Sequence, residues 1–282
     1  MGLKNVKKWV NSPDDRFHMS RYFIHMAYDG SDYSGWQIQP DKKTVQQVLE
    51  HALSTLLKQE IAVTGAGRTD TGVHASCFVA HFDTDLPGKV QAKSTIPFAD
   101  PSSEKFVFKL NRFLPPDMVV HRIEEVAEEM HARYSAIYRT YQYRISSVKP
   151  LYNRNYCHYV FGELDIEAIE SCCRRILATS DFTSFAKLHS DVKNNICRVT
   201  HATWSKVEEG YLFKITADRF LRNMVRSLTG TLLDVGLGKL DLEGFRKIVD
   251  AKDRGKAGTS APARGLFLVD IGYNYQWNGA GG

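Results

Sequence analysis

The 282-residue chain sets 37 Lys and Arg against 32 Asp and Glu, a formal charge of +5, with 43% hydrophobic and 24% charged residues. That composition is average for globular proteins: it excludes a mainly disordered, collagenous or solenoid chain and supplies core for one large domain or two joined ones. Cys77, Cys157, Cys172, Cys173 and Cys197 lack C-x-x-C spacing, so neither a zinc ribbon nor a disulfide framework is indicated and a reducing cytoplasm is the expected home.

Residues 1–20 form a polar, basic leader, expected to be disordered, with no apolar run long enough for a secretory core. Val6 stands where myristoylation requires Ser or Thr. No later stretch approaches the roughly 20 apolar residues of a membrane span. Arg21 to Tyr28 predicts a strand ending at Asp29-Gly30. A Gly-containing loop follows with Tyr33, Trp36 and Gln37, which are expected to be exposed and to contact a ligand. Thr44 and Gln47 form a capping box, and Val45, Val48, Leu49, Ala52, Leu53, Leu56 and Leu57 recur at helical spacing over about four turns.

Ile61 to Thr64 and Ser76 to Thr84 predict strands on either side of a polar turn. Residues 86–105 read as a loop or local insertion, before a short helical piece that ends at Pro115-Pro116. Arg139 to Ser146 alternates as a strand, and Asp165 caps a helix that buries Cys172 and Cys173. Ala202 to Ala217 predicts a hairpin turning at Glu209-Gly210. Phe220 to Val235 and Leu242 to Ala251 predict helices, Gly265 to Tyr273 the last strand, and residues 276–282 a frayed tail. The pattern is α+β, with two related α/β halves, 21–135 and 136–275, joined through a mixed or mostly antiparallel central sheet with a cleft across the junction.

The densest chemical signal is GAGRTDTGVHA, residues 65–75. Its opening imitates a dinucleotide fingerprint, but Asp70 replaces the third Gly and no helix follows, so a nucleotide cofactor is excluded. The glycines suit a tight backbone that presents Arg68 and Asp70. From the residues alone, Asp70 is also readable as a turn or cap carboxylate. His74 is most simply a turn-stabilising hydrogen-bonding group, because no metal-ligand spacing accompanies it.

Arg219, Arg222 and Arg226 are spaced to share one face of the expected 220–235 helix, opposite Leu221, Met224, Val225 and Leu228. That face is a solvated basic surface, a phosphate-binding stripe, or a partner for a buried carboxylate. Tyr33, Trp36, Tyr134, Tyr138, Tyr141 and Tyr143 lie among basic residues. Such interleaving suits stacking of unpaired RNA bases, with plain sheet packing as the alternative for Tyr141 and still more for Tyr143.

GAGRTDTGVHA closely resembles the catalytic segment of the TruA-type tRNA pseudouridine synthases. YDGSDYSGWQIQ, TVQQVLEHAL, RTYQYRI, the DFTSF of 181–185, FLRNMVRSLTGTLLDVG and ARGLFLVDIGY are similar to that family's segments in the same order, over about residues 21–275. The resemblance implies the pseudouridine synthase fold and isomerisation of uridine to pseudouridine in tRNA, at positions 38, 39 and 40 of the anticodon stem-loop. It implies Asp70 as nucleophile, Arg226 as its ion-pair partner and Tyr141 as the ring on which uracil rests. Arg68 would help take the nucleotide from its stack, and Leu266 would line the pocket's other face.

Arg222, Tyr33, Trp36, Gln37 and His74 are counted with the substrate-binding set. No cofactor and no metal are implied. The implied partners are tRNA, through its elbow and anticodon arm, and a second copy of the chain in a homodimer. An RNA-binding module without catalysis and a glycosidase-like hydrolase are the competing classes. The second acid a glycosidase wants is missing beside Asp70.

Overall fold

β1 (Ser20–Tyr28) is buried along most of its length, as its aromatic and branched residues suit a pleated surface covered on both faces. The computed structural model containing it describes residues 19–84, 100–187 and 194–274. Most of the leader, residues 86–99 of the 86–105 segment and the 276–282 tail lie outside the described residues.

β1 pairs antiparallel with β3 (His74–Thr84) on one side and β4 (Met118–Val126) on the other. The sequence pattern did not reveal β4. Its His121, Arg122, Glu124 and Glu125 interrupt the alternation, yet charged side chains are what an edge strand needs to resist pairing with another chain. β2 (Val63–Gly65) also pairs with β3.

α1 (Val45–Leu57) begins where the Thr44 hydroxyl accepts from the Gln47 amide at 3.4 Å, and it buries Val45, Leu49, Ala52, Leu53 and Leu57. α2 (Glu104–Phe113) is capped by Ser103, buries Phe106 and Leu110, and stops just before Pro115-Pro116.

The second half opens with β5 (Ala136–Ser146) and a short β6 (His158–Tyr159) beside it. α3 (Ile166–Leu177) is capped by Asp165, which accepts from the Ala168 amide at 2.9 Å, and its Cys172 and Cys173 are core. β7 (Val199–Val207) and β8 (Gly210–Ala217) form the expected hairpin. α4 (Met224–Gly236), α5 (Leu242–Ala251) and β9 (Leu266–Tyr273) complete the chain.

α4 corrects an expectation. It starts four residues later than Phe220, because Asn223 takes a left-handed backbone with φ 65° and the preceding residues turn rather than wind. Arg219 and Arg222 are therefore not helical, and the i, i+3, i+7 stripe does not exist.

The strands make a single nine-stranded sheet in the order β4-β1-β3-β9-β5-β8-β7, with β2 on β3 and β6 on β5. It is mostly antiparallel. The two halves meet where β9 runs parallel to the start of β3, His74 opposite Phe267 and Ala75 opposite Leu268. On its other side β9 is antiparallel to β5, with Leu268 opposite Tyr141. Two hydrophobic cores underlie the sheet, one mostly of second-half residues that also takes in Val73 and one mostly of first-half residues that also takes in Leu268 and Ile271, and Tyr141 packs against both. Tyr141 on β5 thus touches both cores at the sheet junction, and the turn that carries Asp70 leads directly into it.

Candidate active site

The Asp70 turn is held from beneath by the loop after β1. The Trp36 amide donates to the Thr69 carbonyl at 3.2 Å, the Gly72 amide to the Tyr33 carbonyl at 3.3 Å, and Tyr28 and Thr69 share a hydroxyl contact at 2.9 Å. Trp36 stacks on Phe78 with centroids 4.1 Å apart, directly against Gly65, where a Cβ would stand 2.6 Å from the indole. Gly72 has φ +76°, which lets the chain reverse from the turn into β3. With both faces of the turn so constrained, the Asp70 side chain is left facing the second half.

There it meets two guanidinium groups. Arg226 Nη1 lies 3.4 Å from Asp70 Oδ2, and Arg222 Nε lies 3.9 Å from Oδ1. The Asp70 and Arg226 side chains are 26% and 22% exposed, whereas Arg222 is 62% exposed. Arg226 is fixed on α4, its Nε donating to the Ala261 carbonyl at 2.8 Å while the Ala261 amide donates to the Arg226 carbonyl at 2.9 Å. Arg222 reaches the carboxylate from the turn before α4. Arg219 points elsewhere, toward Asn194 at 3.4 Å.

Tyr141 is half-buried on β5 in a row with Leu268 on one side and Ile215 on the other, and Phe220 meets its ring edge-on at 5.1 Å. Burial, opposed by Arg139 and assisted by the charge of Asp70, pushes its hydroxyl up to about 12. It stays protonated at neutral pH. Tyr143, on the same face, is wholly buried and donates to the Pro262 carbonyl at 2.7 Å, which is sheet and loop packing. Leu266 is buried opposite Tyr143, two pairs along the strand from Tyr141.

Arg68 is exposed and makes no hydrogen bond or ion pair among the described residues. Gln37 is also exposed. Tyr33 and Trp36 are not: at 1% and 3% exposure they are core, and Tyr33 donates to Asp117 at 2.6 Å. Their expected exposure is corrected because the loop folds back over Phe78 and the Asp70 turn, where aromatic volume is needed. They hold the site from beneath and have no free ring face to offer a base.

His74 is likewise enclosed, stacked on Phe267 at 4.6 Å. Burial pulls its pKa below the usual imidazole value. The ring is neutral, with Nε2 donating to the Asn155 carbonyl at 3.1 Å and Nδ1 accepting from the Gly30 amide at 3.0 Å. Asp29 lies 3.0 Å from the same Nδ1, and its charge opposes the lowering that burial causes. Asp29 also accepts from Tyr156 at 2.6 Å. His74 thus stitches the two halves together beneath the site.

Sequence reasoning missed Arg139, Phe220 and Leu268. Arg139 lies two residues before Tyr141 on the same strand face, a relation that the alternation of RTYQYRI already contains. Among the described residues no His, Cys, Asp and Glu group could hold a metal, all five cysteines are free, and no helix is long and apolar enough to cross a membrane. A shallow depression lined by Glu104, Lys105, Phe108, Lys109 and Arg112 lies on α2 and shares no residue with the surroundings of Asp70.

A model of the tRNA pseudouridine synthase family matches residues 24–135 and 173–274. The chain is 51% identical over 258 residues to a protein of Bacteroides thetaiotaomicron named tRNA pseudouridine synthase A, covering 90% of this chain and 91% of the relative. It is 47% identical to the Parabacteroides distasonis protein of the same name, covering 90% and 96%. The Bacillus subtilis protein so named is 36% identical, with 88% and 97% covered. Both family segments run through the junction, the first containing Asp70 and the second Arg222, Arg226 and Leu266. The chain belongs to the tRNA pseudouridine synthase family.

Proposed function

We propose that the chain isomerises uridine to pseudouridine in tRNA and that Asp70 is its nucleophile. The observation that carries this reading is the Asp70 carboxylate between Arg226 and Arg222, at 3.4 and 3.9 Å, beside Tyr141. A carboxylate withdrawn from bulk water needs cationic partners to stay ionised. Only the ionised oxygen is a nucleophile.

In the reaction the bond from uracil N1 to the sugar breaks and a bond from C5 to the same sugar carbon forms. The C5 proton leaves and N1 gains one, so the atoms balance within the nucleotide and no electron acceptor or group donor is required. Addition to the ring and attack at the sugar carbon both use the same Asp70 oxygen. Tyr141, its hydroxyl at about 12, supplies a ring surface and a donor rather than a base. Leu266 supplies apolar surface nearby. Arg68, exposed and without a partner among the described residues, is available to contact phosphate as the nucleotide leaves its stack, a step that costs a few kcal/mol.

The target uridines are those at tRNA positions 38, 39 and 40, met by a cytoplasmic homodimer that binds the elbow and the anticodon arm. The 51% identity to a bacterial relative and five free cysteines support this finer reading.

Purified protein is expected to convert uridine in unmodified tRNA with no added cofactor, as read by chemical mapping of pseudouridine. Asp70→Asn is expected to reduce conversion to background and to leave tRNA affinity within about threefold. Full turnover by that variant refutes the assignment, and release of free uracil by the wild type makes the protein a glycosidase instead.

A further inference from the structure

We infer that Arg139 is a positioning residue that sets the Asp70 turn and the Arg222-bearing segment against each other through main-chain carbonyls. The inference rests on the function proposed above. Arg139 Nη1 donates to the carbonyls of Ala136 at 3.1 Å and Asp218 at 2.9 Å, and Nη2 donates to those of Ala66 at 2.9 Å and Arg133 at 2.6 Å. One guanidinium therefore gathers three separate stretches of chain. Ala66 opens the turn that carries Asp70. Asp218 follows β8 and leads into the link that carries Phe220 and Arg222. Arg133 belongs to the connection between the two halves, and Ala136 opens β5 directly after it.

Arg139 makes no ion pair with a carboxylate among the described residues: four main-chain carbonyls answer its charge directly, and the Asp218 carboxylate adds to them from farther away. Burial lowers its pKa from the usual guanidinium value, but an arginine remains charged at any pH of interest. Withdrawing a cation even partly from water with no counter-ion in contact is costly, and a neutral amide would suffice to hold one loop. What a neutral amide or a lysine cannot do is reach four acceptors on three segments from one planar fork.

The side chain also projects from the face of β5 that carries Tyr141, since Arg139 pairs with Ala217 and Tyr141 with Ile215 in unbroken register. The strand that offers the stacking ring thus also fixes the carboxylate on one side of it and the guanidinium segment on the other. Arg139 itself touches neither Asp70 nor the guanidinium groups beside it, so its effect on chemistry is geometric. A displacement of about 1 Å at a reacting group is enough to cost about 100-fold in rate.

The test uses the full chain and unmodified tRNA, with single-turnover conversion, tRNA affinity and thermal melting measured on the wild type, Arg139→Lys and Arg139→Ala. Arg139→Lys is expected to bind tRNA within about threefold of the wild type and to convert it about 100-fold more slowly per folded, tRNA-bound molecule. Added methylguanidinium is expected to restore part of the rate of Arg139→Ala, and ethylammonium at the same concentration is not. A rate for Arg139→Lys within about threefold of the wild type, per folded and bound molecule, overturns the inference even if the variant folds poorly. Equal rescue by ethylammonium overturns it as well. Failure of the wild type to make pseudouridine would instead sink the proposed function.

Discussion

The turn that presents Asp70 and the segment that presents Arg222 and Arg226 face each other across the sheet junction, yet they are held by opposite means. Beneath Asp70 the support is aromatic volume: Trp36 stacked on Phe78, Tyr28 against Thr69, and Tyr33 sealed by its bond to Asp117. Behind Arg226 the support is close main-chain approach. A Cβ at Gly230 of α4 would stand 1.8 Å from the Thr259 carbonyl, so the 259–261 segment lies directly on the helix and clasps Arg226 through Ala261. The carboxylate side thus fails when volume is removed, and the guanidinium side fails when volume is added.

Trp36→Ala breaks the first kind of support and is expected to have the largest effect, lowering stability by about 4 kcal/mol through the cavity it leaves under the turn. Equilibrium unfolding of the full chain checks it. A loss below about 1 kcal/mol would mean the indole is not what fixes the Asp70 turn.

Arg226→Met keeps much of the stem's volume and removes the charge 3.4 Å from Asp70. Its expected cost is about 100-fold in single-turnover rate, with tRNA affinity little changed. A Lys at the same position sharpens the point. It restores charge without the fork that serves both Asp70 and the Ala261 carbonyl, and is expected to recover only part of the rate.

Gly230→Ala adds a single methyl on the opposite side of the site and is expected to cost about 2 kcal/mol by pushing the 259–261 segment off α4. Activity should fall with it, because Arg226 moves. Unchanged melting would contradict the close approach.

The smallest effect separates the halves by pH. Burial depresses the imidazoles of His25, His74, His81 and His131 in the first half, and that of His158 in the second. His81 is the best defined, held down to about 4 from 6.5. A folded-state pKa below the unfolded one means the unfolded chain binds more protons. Stability from these groups is therefore complete above pH 6.5 and is lost as pH falls toward 4. His81 alone accounts for about 1 kcal/mol at pH 5.5. Hydrogen exchange at that pH should accelerate in β1 and β3 before it does in β7 and β8. Simultaneous loosening of both halves would show that the histidines do not set the order.

How far the molecule was legible follows from the range of each interaction. Thr44, Asp165 and the alternation around Tyr141 announced their elements because a cap or a period is completed within a few residues. β4 escaped notice because its charged residues make sense only once β1 has been placed beside it. Asn223 defeated the expected helix start, since a left-handed residue at the head of an apolar period leaves the period intact. The pairing of Asp70 with Arg226 was what the resemblance implied, whereas the shared basic stripe is absent: Arg226 approaches the carboxylate from a helix and Arg222 from a turn.

Composition, local period, caps and turn residues determined the α+β class, most helices and strands, and the motif in which Asp70 stands. Each of these is a property of neighbours along the chain. Tertiary structure alone decided that Tyr33 and Trp36 are buried, that Arg226 meets a carboxylate 156 residues away, and that Arg139 binds three segments at once. Exposure and ion pairing depend on what the remainder of the chain brings up against a side chain, and no window of adjacent residues contains that information.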